Sequence, residues 1–259
     1  MEKKSFKRIT TRTLHEMKKM NEKISMLTAY DYTFSKILDE ANIDIILVGD
    51  SASNVFAGNE TTVPITLDEM IYHAKSVVKG VKRALVVVDM PFGTYQSNPD
   101  KALKSAIRIM KESGAHAVKL EGGKEVSESI SKIINAGIPV MGHLGLTPQS
   151  YLNLGLRKQG ESLESQEKIK KEASILENLG CFSIVLEHIP ELLAKEIQNN
   201  IAIPTIGIGA GNYCDGQVRV TADLLGLNDD QPPFCQPIIQ GKKLFKDKLK
   251  EWVASERLN

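Results

Sequence analysis

Short apolar runs alternate with longer amphipathic stretches along this chain of 259 residues. The runs are 25–29 (SMLTA), 43–48 (IDIILV), 84–88 (ALVVV), 115–120 (AHAVKL), 138–141 (IPVM), 182–186 (FSIVL), 203–207 (IPTIG) and 217–220 (QVRV). The continuous Val, Ile and Leu among them are what strands covered on both faces require, and such strands are usually parallel. The stretches between them carry helix punctuation. Thr66 with Glu69 forms a capping box ahead of a helix over 67–79, and Gly80 stops it. Asn98 caps a helix that begins at Pro99, carries the stripe Leu103, Ala106, Ile107 and Met110, and ends before Gly114. Ile169, Ala173, Leu176 and Leu179 form another stripe, closed by Gly180. Thr13 with Glu16 predicts an extra N-terminal helix, capped at Thr13, that covers one end of the fold.

Eight strands alternating with helices predict a (β/α)8 TIM barrel with an extra N-terminal helix. A doubly wound open sheet is the alternative, but no GxGxxG follows the first strand to support it. Without a linker or an internal repeat, the whole of 1–259 reads as a single barrel domain, with 1–23 as a helical extension.

Composition narrows the function classes. With 33 basic and 32 acidic residues the formal charge is +1, so the basic excess of a duplex-binding surface is missing and no nucleic-acid partner is expected. The N-terminus MEKKSFKRITTRT has no apolar core of a secretory signal. No apolar run approaches the roughly 18 residues that span a bilayer, so no membrane association is expected and the cytoplasm is the expected location. Cys181, Cys214 and Cys235 form no CxxC pair and suit packing in a reducing compartment.

Barrel enzymes carry their chemistry where strands end at the carboxyl side. Here those positions hold Asp50 and Ser51, Asp89, Lys119 with Glu121, His143, and Glu187. Three carboxylates from neighbouring strands, Asp50, Asp89 and Glu121, would repel one another at one mouth unless a cation sat between them. Magnesium is the hard, oxygen-seeking ion that suits them; capping of the following helices is the plainer reading of each acid taken singly. Lys119 shares a face with Glu121, as a contact to a substrate carboxylate or oxyanion or as an ion pair with Glu121. His143 reads as a general base, a ligand or, the commonest case for a lone histidine, a hydrogen-bonded core residue, and Glu187 reads as a general base. The glycines of 206–211 (IGIGAG) suit either a phosphate cradle or a tight turn.

These motifs, taken in order, carry a resemblance. Leu47-Val48-Gly49-Asp50-Ser51, Val88-Asp89-Met90-Pro91-Phe92, Val118-Lys119-Leu120-Glu121-Gly122-Gly123, the run 142–150 (GHLGLTPQS), Val185-Leu186-Glu187, and 206–211 followed by Asp215-Gly216-Gln217 resemble the ketopantoate hydroxymethyltransferase family from about Ile24 to about Gly226. The resemblance implies transfer of a hydroxymethyl group from 5,10-methylenetetrahydrofolate to 3-methyl-2-oxobutanoate through a magnesium-stabilised enolate. The product, 2-dehydropantoate, leads to pantothenate. It further implies Asp50 and Asp89 as metal ligands with Glu121 completing the shell. Ser51 and Lys119 would contact the oxoacid, beside Asp50 and Asp89, with Glu187 as proton acceptor and a homo-oligomer, commonly a decamer, as the working form. Three segments depart from the family pattern. Ala52-Ser53-Asn54 stands where Leu-Gly is frequent, 155–160 (GLRKQG) is one residue short of GGYKVQG, and 227–259 diverges. The short loop is expected to alter lid or folate contacts, and the C-terminal segment subunit packing. Two competing classes remain at this stage: a magnesium barrel related to phosphoenolpyruvate mutase or isocitrate lyase, and a barrel that only binds. The first relies on a cysteine loop that none of the three cysteines here forms, and the second does not require the acids, Lys119 and Glu187 that this chain retains.

Overall fold

The computed structural model describes residues 8–155 and 157–257. In chain order the elements are α1 (Thr11–Lys19), β1 (Ile24–Thr28), α2 (Tyr32–Glu40), β2 (Ile45–Val48), α3 (Ala52–Val55), α4 (Leu67–Gly80), β3 (Leu85–Asp89), α5 (Pro99–Ser113), β4 (Ala117–Lys119), α6 (Ser127–Asn135), β5 (Val140–Gly145), α7 (Tyr151–Leu154), α8 (Leu163–Leu179), β6 (Ser183–Glu187), α9 (Glu191–Asn200), β7 (Thr205–Ile208), β8 (Gly216–Arg219), α10 (Thr221–Leu224) and α11 (Gly241–Glu256). The eight strands close into a barrel in sequential order, and the neighbouring pairs from β1 to β8 run parallel. The (β/α)8 barrel expected from the alternation is the fold observed.

The chain divides into two compact units, the first ending at Val218 and the second beginning at Arg219. In the first, strand alternation sorts the core into two layers. Ile46, Val48, Val86, Val88, Val118, Val140, Ile184 and Leu186 pack outward beneath the helices. Met26, Ile45, Leu47, Leu85, Val87, Ala117, Met141, Val185 and Ile206 fill the interior. Continuing the inward parity along β3, β4, β5 and β6 reaches Asp89, Lys119, His143 and Glu187, so the fold itself aims these side chains into the barrel.

The helix α1 closes the opposite end. Leu14 and Met17, with Ile9 just before the helix, join the interior cluster. Lys18 Nζ donates to the carbonyls of Gln198, Ile201 and Ile203 and lies 3.0 Å from Asp215 Oδ2. The N-terminal helix was expected, but its cap is not Thr13. Thr10 is the cap and Thr13 its reciprocal partner, while Glu16 pairs with Arg12 at 3.1 Å. The stripe on α5 is also rotated. Ala102, Ala106 and Ile109 are buried, Leu103 and Met110 only partly so, and Ile107 faces solvent. The capping box at Thr66 and Glu69, and Asn98 with Pro99, stand as predicted.

The second unit carries α10 and α11. Phe245, Leu249, Trp252 and Val253 of α11 are exposed. Cys181, Cys214 and Cys235 are buried free thiols, and burial pushes Cys181 up to about 12 and Cys214 up to about 11, which keeps them neutral packing groups. Among the described residues no helix is long and apolar enough to cross a membrane. Of the extension over 1–23 and the C-terminal segment over 227–259, residues 1–7 and 258–259 lie outside the described residues, as does Leu156 of the short loop.

Candidate active site

Four strand ends bring the predicted side chains together. Register sets Asp89 beside Lys119 on β3 and β4, and Lys119 Nζ stands 2.9 Å from Asp89 Oδ1, without the angles of a hydrogen bond. The ion pair is therefore with Asp89, while Glu121, just past the end of β4, acts on the ammonium through its charge. Lys119 Nζ also lies 3.2 Å from His143 Nδ1 on β5. His143 Nε2 lies 3.1 Å from Glu187 Oε2, again short of hydrogen-bond geometry, because β5 and β6 set these residues on adjoining levels. Its Nδ1 lies 3.5 Å from Glu121 Oε1. His143 is thus neither isolated nor packed on apolar neighbours. It links Lys119 to two carboxylates.

Asp50 follows β2, and its backbone amide donates to Asp89 Oδ2 at 3.0 Å. Ser51 Oγ meets Tyr30 Oη at 2.8 Å, and Tyr30 in turn donates to Thr28. Glu121 is held from behind: its backbone N–H donates to Tyr95 Oη, and its Oε2 accepts from the Gln149 amide at 2.9 Å. The position of Glu187 depends on a glycine. Gly145 sits at φ +95, and a Cβ there would stand 2.2 Å from the Glu187 carbonyl, so the close crossing of these two chains excludes other residues.

Asp50, Asp89, Lys119, Glu121 and His143 are all buried, and Glu187 is partly exposed towards the opening. Burial first, then the charges of Asp89 and Glu121, hold the Asp50 carboxyl well above the usual carboxylate range; Lys119 and Gln149 oppose this. Burial would lower the Lys119 pKa, but Asp89, Glu121 and Asp50 outweigh it and raise it. For His143, burial and the Lys119 charge act downward, yet Glu121 and Glu187 prevail and raise it to about 9. Burial, with smaller help from Asp50 and Asp89, raises Tyr30. The cluster has more negative than positive groups, and this imbalance is what a bound cation would correct.

The donor set consists of hard carboxylate oxygens, and Asp89 Oδ1 lacks a hydrogen bond, so the chemistry fits magnesium. Among the described residues, no three His, Cys, Asp or Glu side chains stand gathered closely enough to hold a metal as they are. Lys119 and Gln149 instead occupy oxygens of the acids. The glycine-rich loop after β7 holds no open cradle at its end. Gly211, at φ +71, lets the Glu191 side chain approach, and Glu191 Oε1 accepts from Asn212 N at 2.9 Å, so the protein's own carboxylate takes that amide. Sequence reasoning assigned no part to Gln149, Tyr95 or Tyr30. Gln149 and Tyr30 stand in or beside the motifs, but an amide or phenol carries no signal of its own until its contacts are known.

A buried set of carboxylates with one ammonium and one imidazole, at the carboxyl ends of barrel strands, defines a (β/α)8 barrel enzyme acting through charge at its mouth. Residues 8–257 match the family described as ketopantoate hydroxymethyltransferase, and the chain belongs to that family. A relative from Prochlorococcus marinus (strain MIT 9301), named 3-methyl-2-oxobutanoate hydroxymethyltransferase, is 68% identical over 248 residues, covering 93% of this chain and 96% of its own. One of the same name from Flavobacterium johnsoniae is 65% identical over 232 residues, covering 89% and 85%. Among solved structures, a phosphonopyruvate hydrolase in complex with oxalate and Mg++ superposes with a TM-score of 0.62 over 97% of this chain and 100% of that one. At 11% identity that likeness speaks for the fold alone.

Proposed function

We propose that this chain transfers a hydroxymethyl group from 5,10-methylenetetrahydrofolate to 3-methyl-2-oxobutanoate, giving 2-dehydropantoate, as the first step of pantothenate biosynthesis. The observation that carries the reading is the chain of contacts Asp89–Lys119–His143–Glu187 beside Asp50 and Glu121. It sets a proton acceptor beside groups that handle negative charge. Family membership and the names of relatives support the reaction class.

In this reading Asp50 and Asp89 would hold Mg2+, with Glu121 completing its shell, and Mg2+ when bound supplies Lewis acidity to the oxygens of the oxoacid. Ser51, on its hydrogen bond to Tyr30, and the Lys119 ammonium would contact those oxygens. Glu187 takes the C3 proton, and the C–H electron pair becomes an enolate whose carbon attacks the one-carbon unit as its bond to one folate nitrogen breaks, the proton passing on to that nitrogen. Water then displaces the second folate nitrogen, supplying the hydroxyl and releasing tetrahydrofolate. His143 Nε2, 3.1 Å from Glu187 Oε2, orients that carboxylate. Burial of the acids excludes water, so Lys119 acts on developing charge at close to full strength. Action in the cytoplasm as a homo-oligomer is part of the same proposal.

The test is exchange of the C3 proton of 3-methyl-2-oxobutanoate in deuterated water, followed by turnover with the folate donor. Exchange is expected only with Mg2+ present. Glu187→Gln is expected to lower it by about 10²–10⁴-fold while Mn2+ binding persists, and Asp89→Ala to abolish it through loss of metal. Absence of exchange in the wild type, or equal metal loss in both variants, would overturn the assignment; exchange without transfer would leave an enolising barrel of another kind.

A further inference from the structure

Gln149 lies beyond β5, yet its contacts reach three other strand ends. Its Nε2 donates to Asp50 Oδ2 at 2.8 Å and to the Met90 carbonyl at 3.0 Å. Its Oε1 accepts from Tyr95 Oη at 2.8 Å and from Gln96 Nε2 at 3.0 Å. Its backbone N–H donates to Glu121 Oε2 at 2.9 Å. Both amide protons and the amide oxygen are therefore used, and the residue is buried. The orientation of the amide follows from its partners. Turned over, the oxygen would face a carboxylate and a carbonyl, both acceptors, and the NH2 would face the Gln96 amide protons.

We infer that Gln149 is a positioning residue that holds Asp50 and Glu121 at a fixed spacing and leaves each with one carboxylate oxygen for a divalent cation. The inference rests on the magnesium reading above. One carboxylate oxygen on each acid is already committed to Gln149, so each acid would ligate through the other. Tyr95 and Gln96 act one step further out by fixing the amide. Partners that orient ligands in this way commonly change metal affinity by about 10–100-fold when removed.

The experiment titrates Mn2+ into the full chain, following free Mn2+ by electron paramagnetic resonance, for the wild type and Gln149→Met. The variant keeps the length of the side chain and the backbone N–H to Glu121, but none of the four side-chain hydrogen bonds. Its Mn2+ Kd is expected to rise about 10-fold or more. Excess Mn2+ should recover most of the C3-exchange rate, since Gln149 touches no reacting atom. Should Gln149→Met fail to fold, Tyr95→Phe removes one of the two donors to Oε1 and is expected to raise the Kd about 3-fold. A Kd within twofold of the wild type in the folded variant would overturn the inference and leave Gln149 as a stabilising strut. Failure of the wild type itself to bind Mn2+ would instead remove the magnesium reading, and this inference with it.

Discussion

The His143 ring lies between one ammonium and two carboxylates. The pKa is raised to about 9 from 6.5 because Glu121 and Glu187 outweigh burial and Lys119. A folded value above the unfolded one means that this group's contribution to stability is complete below about pH 6.5 and is lost as pH rises through about 9. In chelator-treated protein, the urea midpoint is expected to fall between pH 6.5 and 9.5, and His143→Gln to flatten that decline. A resonance assigned to His143 that titrates below 7 would contradict the assignment. The same residue shows what a sequence can and cannot say. Inward parity along β5 follows from alternation, but which of three roles His143 plays depends on distances to Lys119, Glu121 and Glu187, which lie on two other strands. Lys119 is similar: its face was readable, but its partner is Asp89 because the register of β3 and β4, a long-range property, puts them side by side.

At the scale of elements, α1 works as a plug fastened by one amine. Lys18 satisfies three carbonyls near the start of β7 and faces Asp215, which also accepts from Thr205 and Gln198. Lys18→Ala would strand a largely buried carboxylate, at a cost of roughly 3 kcal/mol. Urea denaturation should show this loss while the exchange rate of the folded variant stays near that of the wild type. An unchanged midpoint would mean that the helix is held by Leu14 and Met17 alone. The helices themselves were readable where a cap has a single solution, as at Thr66 with Glu69. They were misread where two solutions compete: both Thr10 and Thr13 can start α1, and burial of Thr13 inside the first turn chooses Thr10. On α5, apolar residues occur on more than one side, and only packing against α4 and α6 decides that Ile109 rather than Ile107 turns inward.

For the molecule as a whole, the acids at the mouth are a source of instability that the proposed cation would relieve. Crowding and burial raise Asp50, so folding without metal works against charge repulsion. Mg2+ at about 100 times its Kd is expected to add about 2.7 kcal/mol, or several degrees in melting temperature for a chain of this size. Asp89→Ala should abolish the increment, and a shift of equal size in that variant would place the ion elsewhere. The barrel as a whole was the most readable level, since eight both-face-buried runs alternating with helices leave few other folds.

The plug made by Ile9, Leu14 and Met17 has a consequence for traffic. With that end closed and the interior packed, reactants and product of the proposed reaction would share one doorway. On the proposed reaction, the small oxoacid would sit deep among the acids and the bulkier folate would arrive above it. Binding would then be ordered, oxoacid first and folate second, and the product could leave only after the spent carrier. Competitive inhibition by 2-dehydropantoate against the oxoacid, with a noncompetitive pattern against the folate, is the kinetic signature of that queue.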